Sequence, residues 1–391
     1  MNLISATVPI SLVNDLLADA NSTAVERLTG RAGIPDELLR KPGARVTQEQ
    51  FSTLYRALAV ELDDEMPGIF SRPLRNGTLK YICLSLLDAP RLDVALHRLS
   101  QFFHLMLDDF RLESRREGGL CRVELVPNAS GPVLSVLGRE LMLKFVHGVA
   151  SWLIGQKIPL TAVEFDFPCS PRANDDLHLF PGPVQFDCTR TFMSFDAIYL
   201  DMIIRQRKTD LKKFLSRAPE DWIFVSFGEQ MICHRVRQYL VDCLPAIPTI
   251  EIVARDMHFS VRTLRRRLTA EGTSLQAIKD ELRRDIAVQR LTRSADAISA
   301  IAYDIGFDDP TAFHRAFRHW TGSTPQTYRK MGHALLVAAR KHDDNPSIYG
   351  VKIATVQFLT EHVLSQTTAF EATIASTKDD EGVLVLSEAQ F

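Results

Sequence analysis

The chain of 391 residues is 46% apolar and 24% charged, the balance of an ordinary globular protein with enough apolar material for two cores. This composition excludes fibrous, collagen-like and wholly disordered classes, and no run approaches the roughly 18 apolar residues that a transmembrane helix needs. The net charge of −2 conceals an asymmetry: residues 251–330 hold 14 Lys and Arg against 10 Asp and Glu, while the whole chain holds 46 against 48.

From its start the chain shows no positive segment followed by an apolar run of the signal-peptide kind, so a cytoplasmic location is expected. Residues 10 to about 115 read mainly as helices. Ser11 is placed to cap a first helix, and Thr47 with Gln50 has capping-box spacing ahead of Phe51, Leu54 and Leu58. Gly77 to Tyr81 reads as a turn, and Leu92, Leu96 and Leu99 line one helical face. Phe110–Glu113 and Leu120–Val126 alternate around Gly118-Gly119, which predicts a hairpin. A helix follows over 138–154, then strands over 162–167 and 184–187, with prolines between them. The N-terminal half is therefore α+β.

Charged residues from Arg205 to Glu220 read as a hinge, and beyond Asp221 strand signals cease. The expected domains are 1–205 (sensing), 206–220 (hinge), 221–331 (all-α) and 332–391 (an extension). A helix is expected over 223–240. The six cysteines are scattered, without a C-x-x-C pair or nearby histidines, so neither a metal site nor a disulfide framework is expected, and no cofactor.

The chemistry gathers in residues 250–320. Ile250–Met257 reads as a short helix, His258-Phe259 as a turn, and Ser260 caps a second helix over 261–268. Leu264 and Leu268 share its inner face, while Arg262, Arg265 and Arg266 project outward, with Thr263 near the cap. The pattern recurs. Ala297–Ile305 is a helix, Gly306 turns it, and Asp308-Asp309-Pro310 opens the next one. There Phe313, Phe317 and Trp320 face inward and Thr311, His314, Arg315 and Arg318 outward. A helix over 274–291 joins the units. An apolar face backed by guanidinium groups is what a major-groove reader requires, because Arg binds guanine O6 and N7 in bidentate fashion and also holds phosphate.

Residues 250–329 resemble the DNA-binding domain of the AraC/XylS family of bacterial regulators. The resemblance rests on Ser260–Leu268, Glu271–Ser274, Leu282–Arg284, Ile301-Ala302, Ile305–Pro310, Phe313–Phe317 and Trp320–Pro325, in register over eighty residues. Residues 20–203 resemble, less specifically, the arabinose-binding-like N-terminal domain of some members, through Leu28–Ile34 and Val184–Asp187. The resemblance implies a multidomain protein, with an α+β sensing domain followed by two helix-turn-helix units on a connector helix. It implies that Arg262, Thr263, Arg265, Arg266, Thr311, His314, Arg315 and Arg318 meet double-stranded DNA. It further implies a small-molecule effector, RNA polymerase as a partner of an activator, and the option of a homodimer. Arg283 and Arg284 are open between phosphate contacts and salt bridges to Asp280 and Glu281. Family members usually end soon after Tyr328-Arg329, whereas this chain runs on, with an amphipathic stretch over 353–364 and a weakly ordered end.

No ligand set is legible in the N-terminal half. Trp152, Phe165, Phe167, Phe180, Phe186, Phe192 and Phe195 read first as packing, and the pairs Asp63-Asp64, Asp108-Asp109 and Asp175-Asp176 as solvated. His97, His104 and His147 carry no stronger signal. Two other classes stay open: a switch operated by a protein partner or self-association, and, more remotely, an enzyme fused to a DNA-binding domain. No phosphate loop, nucleophile elbow or metalloprotease motif supports the enzyme.

Overall fold

The computed structural model describes residues 7–129, 131–169, 180, 182–224, 232–271 and 273–330. Asp175-Asp176, the stretch over 353–364 and the extension from 332 lie outside them.

A two-residue strand β1 (Val8–Pro9) leads into helix α1 (Ile10–Leu16), whose N-cap is Pro9 rather than a position set by Ser11. Helices α2 (Ser22–Ala32) and α3 (Asp36–Leu39) follow, then strand β2 (Arg45–Val46), which pairs antiparallel with β1 so that Val8 faces Val46. Helix α4 (Gln48–Leu62) starts with the expected capping box: Gln50 N donates to Thr47 Oγ1 at 3.2 Å and Thr47 N to Gln50 Oε1 at 2.8 Å.

Residues 78–81, expected as a turn, instead open helix α5 (Thr78–Leu87). Its cap is not local. The Glu65 carboxylate accepts from Gly77 N at 2.9 Å and Leu79 N at 2.5 Å, supplying from twelve residues upstream what no neighbouring side chain provides. Two acids expected to be solvated are likewise buried. Asp64 accepts from Met66, Gly68 and Leu74 N–H groups, and Asp109 from the N–H and hydroxyl of Ser71, so both staple the loop between α4 and α5.

Helix α6 (Leu92–Met106) packs on the hairpin of β3 (Phe110–Glu117) and β4 (Leu120–Pro127). Helix α7 (Val136–Leu153) is apolar almost all round and correspondingly buried. Strands β5 (Leu160–Glu164), β6 (Val184–Gln185) and β7 (Thr191–Asp196) complete a five-stranded sheet in the order β3-β4-β7-β5-β6, antiparallel except for β5 with β6. Phe165, Phe167, Phe180 and Phe186 form one aromatic cluster beside it.

The segment expected as a hinge is packed structure. Helix α8 (Lys208–Arg217) buries Phe214, which stacks on Trp152 at 4.4 Å between centroids. Helix α9 (Glu220–Ile223) buries Trp222 edge-on against Tyr55 and Phe145. Gly148 of α7 permits this approach, since a Cβ there would sit 2.6 Å from the Trp222 backbone. Aromatic burial, hidden in a charged sequence, thus ties residues 208–224 to the N-terminal half, and the helix expected over 223–240 is described as α10 (Ile232–Cys243).

The rest is all-α: α11 (Ile250–Asp256), α12 (Val261–Ala270), α13 (Leu275–Arg293), α14 (Ile298–Asp304) and α15 (Pro310–Thr321), with helical turns over 325–330. Among the described residues, no helix is long and apolar enough to cross a membrane.

Candidate nucleic-acid interface

Each helix pair closes around a left-handed residue. His258 has φ 60° and Gly306 φ 80°, and in each case the next residue, Phe259 or Phe307, donates its N–H back to the first helix, to Ala254 O at 2.7 Å or Ala302 O at 3.0 Å. The second helix of each pair is then capped from its own turn. Ser260 Oγ accepts from Thr263 N at 3.1 Å, and Asp309 Oδ1 from Thr311 N at 2.9 Å. That backbone N–H holds the Asp309 carboxyl below its ordinary value. Leu264 and Leu268 in α12, and Phe313 and Phe317 in α15, are buried as expected.

The outward faces carry the sequence-predicted residues. Arg262, Arg265, Arg266, Thr311, Arg315 and Arg318 are exposed, and Thr263 and His314 are half-buried. Thr263 shares the cap, its hydroxyl 2.8 Å from Ser260 Oγ, and His314 lies edge-on to Phe313. The guanidinium groups of Arg262, Arg265, Arg266, Arg315 and Arg318 form no ion pair or hydrogen bond with the described residues.

Other arginines in this half are committed to structure. Arg283 donates to Ile305 O at 3.1 Å and Gly306 O at 2.9 Å and lies over the Phe307 ring, so it braces the second turn. Arg284 lies 3.5 Å from buried Asp285, Arg290 bridges Asp296 and Asp304, and Arg267 covers the Phe259 ring. Arginine is thus sorted by position. On α13 it holds the scaffold together; on the outer faces of α12 and α15 it stands exposed, without an ion pair among the described residues.

The sequence held no sign of how the N-terminal half is attached. Asp285, in the middle of α13, accepts from Thr7 Oγ1 at 2.6 Å and pairs with Arg237 of α10 at 2.9 Å. Burial pushes its carboxyl up, but Arg237, Arg284, Arg45 and the Thr7 hydroxyl outweigh this and hold it below the usual carboxylate range. Arg45 of β2 donates to Thr7 Oγ1 and Thr7 O, and its backbone N–H donates to Tyr328 Oη at 3.0 Å. Gly43 lies against the C-terminal end of α15, where a Cβ would come within 3.3 Å of Thr321 C. Arg293 reaches Glu49 at 2.5 Å. These partners are up to 283 residues apart in sequence, beyond any local signal.

Two helix-turn-helix units on one connector helix, each with an outward arginine face, define a double-reader DNA-binding protein. Residues 23–204 match the family model for the arabinose-binding domain of AraC transcription regulator, N-terminal, and residues 253–331 match a helix-turn-helix domain model. The chain belongs to the AraC family of transcription regulators. It is similar to the ornithine utilization regulator of Pseudomonas aeruginosa, 25% identical over 333 residues, which are 84% of this chain and 98% of the relative. The HTH-type transcriptional regulator VqsM of the same organism is 29% identical over 187 residues, 46% of this chain and 56% of the relative. Among solved structures, transcriptional regulator CdpR from Pseudomonas aeruginosa aligns at 22% identity over 82% of this chain and 97% of its own, with a TM-score of 0.28.

Proposed function

We propose that this protein is a cytoplasmic transcription activator whose α12 and α15 read two successive major-groove segments of double-stranded DNA, under control of a small-molecule effector bound by the N-terminal domain. The observation that carries this reading is the sorting of arginines: Arg262, Arg265, Arg266, Arg315 and Arg318 stand exposed on the two reader helices, while those of the connector are engaged in structure. Thr263, Thr311 and His314 flank them and are assigned to the same interface. Activation makes RNA polymerase a partner, and a homodimer would extend the site to two copies. The protein has no catalytic role in this reading.

Two features support effector control over control by a protein partner. The N-terminal half holds a half-open cleft of about 710 Å³, within the size range of small-molecule sites. A relative named for ornithine utilization also aligns along 98% of its own length, which makes a small metabolite the natural effector class. An effector can act only by binding one arrangement of the two halves better than another, and the Thr7–Asp285–Arg237 junction is the element available to be shifted.

Selection of preferred duplexes from a random library by the purified chain tests the reading. The expected site has two boxes about ten base pairs apart, one helical turn. Arg266→Ala and Arg315→Ala are each expected to weaken that site by ~1–3 kcal/mol where the arginine reads a guanine. Unchanged binding by both variants would remove these residues from the interface.

A further inference from the structure

Up to Ile204 the chain is acidic, with 20 Lys and Arg against 25 Asp and Glu, and then it turns basic. Over residues 205–217 the count is six against one. These residues make up helix α8 and the turn into it. The helix buries Leu211 and Phe214, while Lys208, Lys212, Lys213 and Arg217 are exposed, as are Arg205 and Arg207 just before it. Arg217 is used within the fold, in a pair with Asp221 at 2.9 Å. The side chains of Arg205, Lys208, Lys212 and Lys213 form no ion pair or hydrogen bond among the described residues.

A helix of this kind carries a cost by itself. Lys208 and Lys212 are like charges at i, i+4, as are Lys213 and Arg217, and such pairs repel. Lys208 also stands in the first turn, where the helix dipole is already positive. The one acid, Asp210, accepts from Arg207 N–H at 2.9 Å and so caps the helix. An anion laid along the outer face relieves both the repulsion and the dipole conflict. The ten residues of α8 span roughly 15 Å at 1.5 Å per residue, and one duplex strand presents a phosphate every ~3.4 Å of its axis. Four unengaged cations thus match about four successive phosphates.

The helix is also held in the same frame as the readers. Arg56 of α4 donates to Ala218 O at 3.3 Å and pairs with Glu220 at 3.5 Å, just beyond the end of α8. Seven residues earlier on α4, Glu49 pairs with Arg293 in the last turn of the connector α13. Seven helical residues span roughly 10 Å. Trp222 against Tyr55 and Phe224 against Phe51 fix the same stretch of α4 from the other side of α8. The basic helix and the connector of the two readers are therefore anchored on one helix, a short distance apart.

We propose that α8 is a third DNA contact, which grips the phosphate backbone flanking the two boxes without reading sequence. Arg205, Lys208, Lys212 and Lys213 supply the cations. This rests on the double-reader assignment above, which brings a polyanion to the same molecule and so raises its concentration at α8.

Two duplexes carrying the selected site test it, titrated with the full chain by fluorescence anisotropy. One ends at the boxes, and the other is extended by about 20 base pairs, two helical turns, on each side. The long duplex is expected to bind at least about fivefold more tightly, with a salt slope steeper by about 2–4. Lys208→Gln, Lys212→Gln and Lys213→Gln together are expected to bring the two duplexes within about twofold, with the short one bound as by the parent. The corresponding three Lys→Arg changes are expected to keep the full difference. A difference that survives the three glutamines, or a loss of equal size on both duplexes, overturns the proposal. Equal affinity of the parent for both duplexes also overturns it, and assigns the basic face to an acidic protein or lipid surface instead. Failure of the double-reader assignment would appear separately, as no enriched duplex in the selection experiment.

Discussion

The two reader units share one turn geometry and differ in what holds them. In the first, the left-handed position is His258 and the ring behind the turn, Phe259, is covered by Arg267 from the reader helix itself, at 4.7 Å. In the second, the same position is Gly306, and Phe307 is covered at the same distance by Arg283, which comes from the connector and also binds two carbonyls of the turn. The first unit is held by α10, through N–H groups of Ile232 and Cys233 on the Glu271 carboxylate. The second is in addition seated against the N-terminal half, with Gly43 at the end of α15 and Arg45 on Tyr328. The lesson is that identical local solutions can be wired differently, and that the connector with the second reader is where the N-terminal half takes hold.

The largest effect is expected at the junction. Asp285→Ala leaves Arg237 and the half-buried Arg284 without their carboxylate and should cost about 3–5 kcal/mol, read by chemical denaturation. The carboxyl is held below its unfolded value, so its contribution is complete above roughly pH 4 and is lost as pH falls through the lower folded value. The melting temperature of the parent chain should therefore fall as pH drops below about 4, and Asp285→Asn should flatten that acid limb.

Gly306 and His258 should respond in opposite directions. A Cβ at Gly306 would meet Pro245 O and Ile247 Cγ1 at 2.6 Å, in a left-handed conformation, so Gly306→Ala should lose about 2–4 kcal/mol. The next contrast is between the two ring-covering arginines. Arg283→Ala, which frees two carbonyls, should cost about 1–3 kcal/mol, and Arg267→Ala about 0.5–1 kcal/mol. Equal losses would mean that the two units are braced alike after all. His258→Gly should be the smallest change, a gain of about 0.5–1 kcal/mol in the same denaturation assay, by relieving a left-handed non-glycine residue.

Much of this molecule was legible without coordinates. The helix-turn-helix pairs, the Thr47–Gln50 capping box, the hairpin around Gly118-Gly119 and the inward Leu264, Leu268, Phe313 and Phe317 follow from caps, turn residues and periodicity within a few positions of each other. Such signals are short-range, so they survive in a linear reading. What they left out involves partners brought together by folding. Glu65 caps α5 across an intervening loop, and Asp64 and Asp109 are buried because backbone N–H groups of that loop satisfy them. Phe214 and Trp222 turn an apparent hinge into packed helix because a gap at Gly148 and the face of Trp152 are there to receive them. Sequence thus determined which segments become readers and which face each presents. Tertiary structure alone decided which arginines stay exposed and which are consumed, because an arginine's role depends on whether a carboxylate or carbonyl from elsewhere in the chain comes within hydrogen-bond reach.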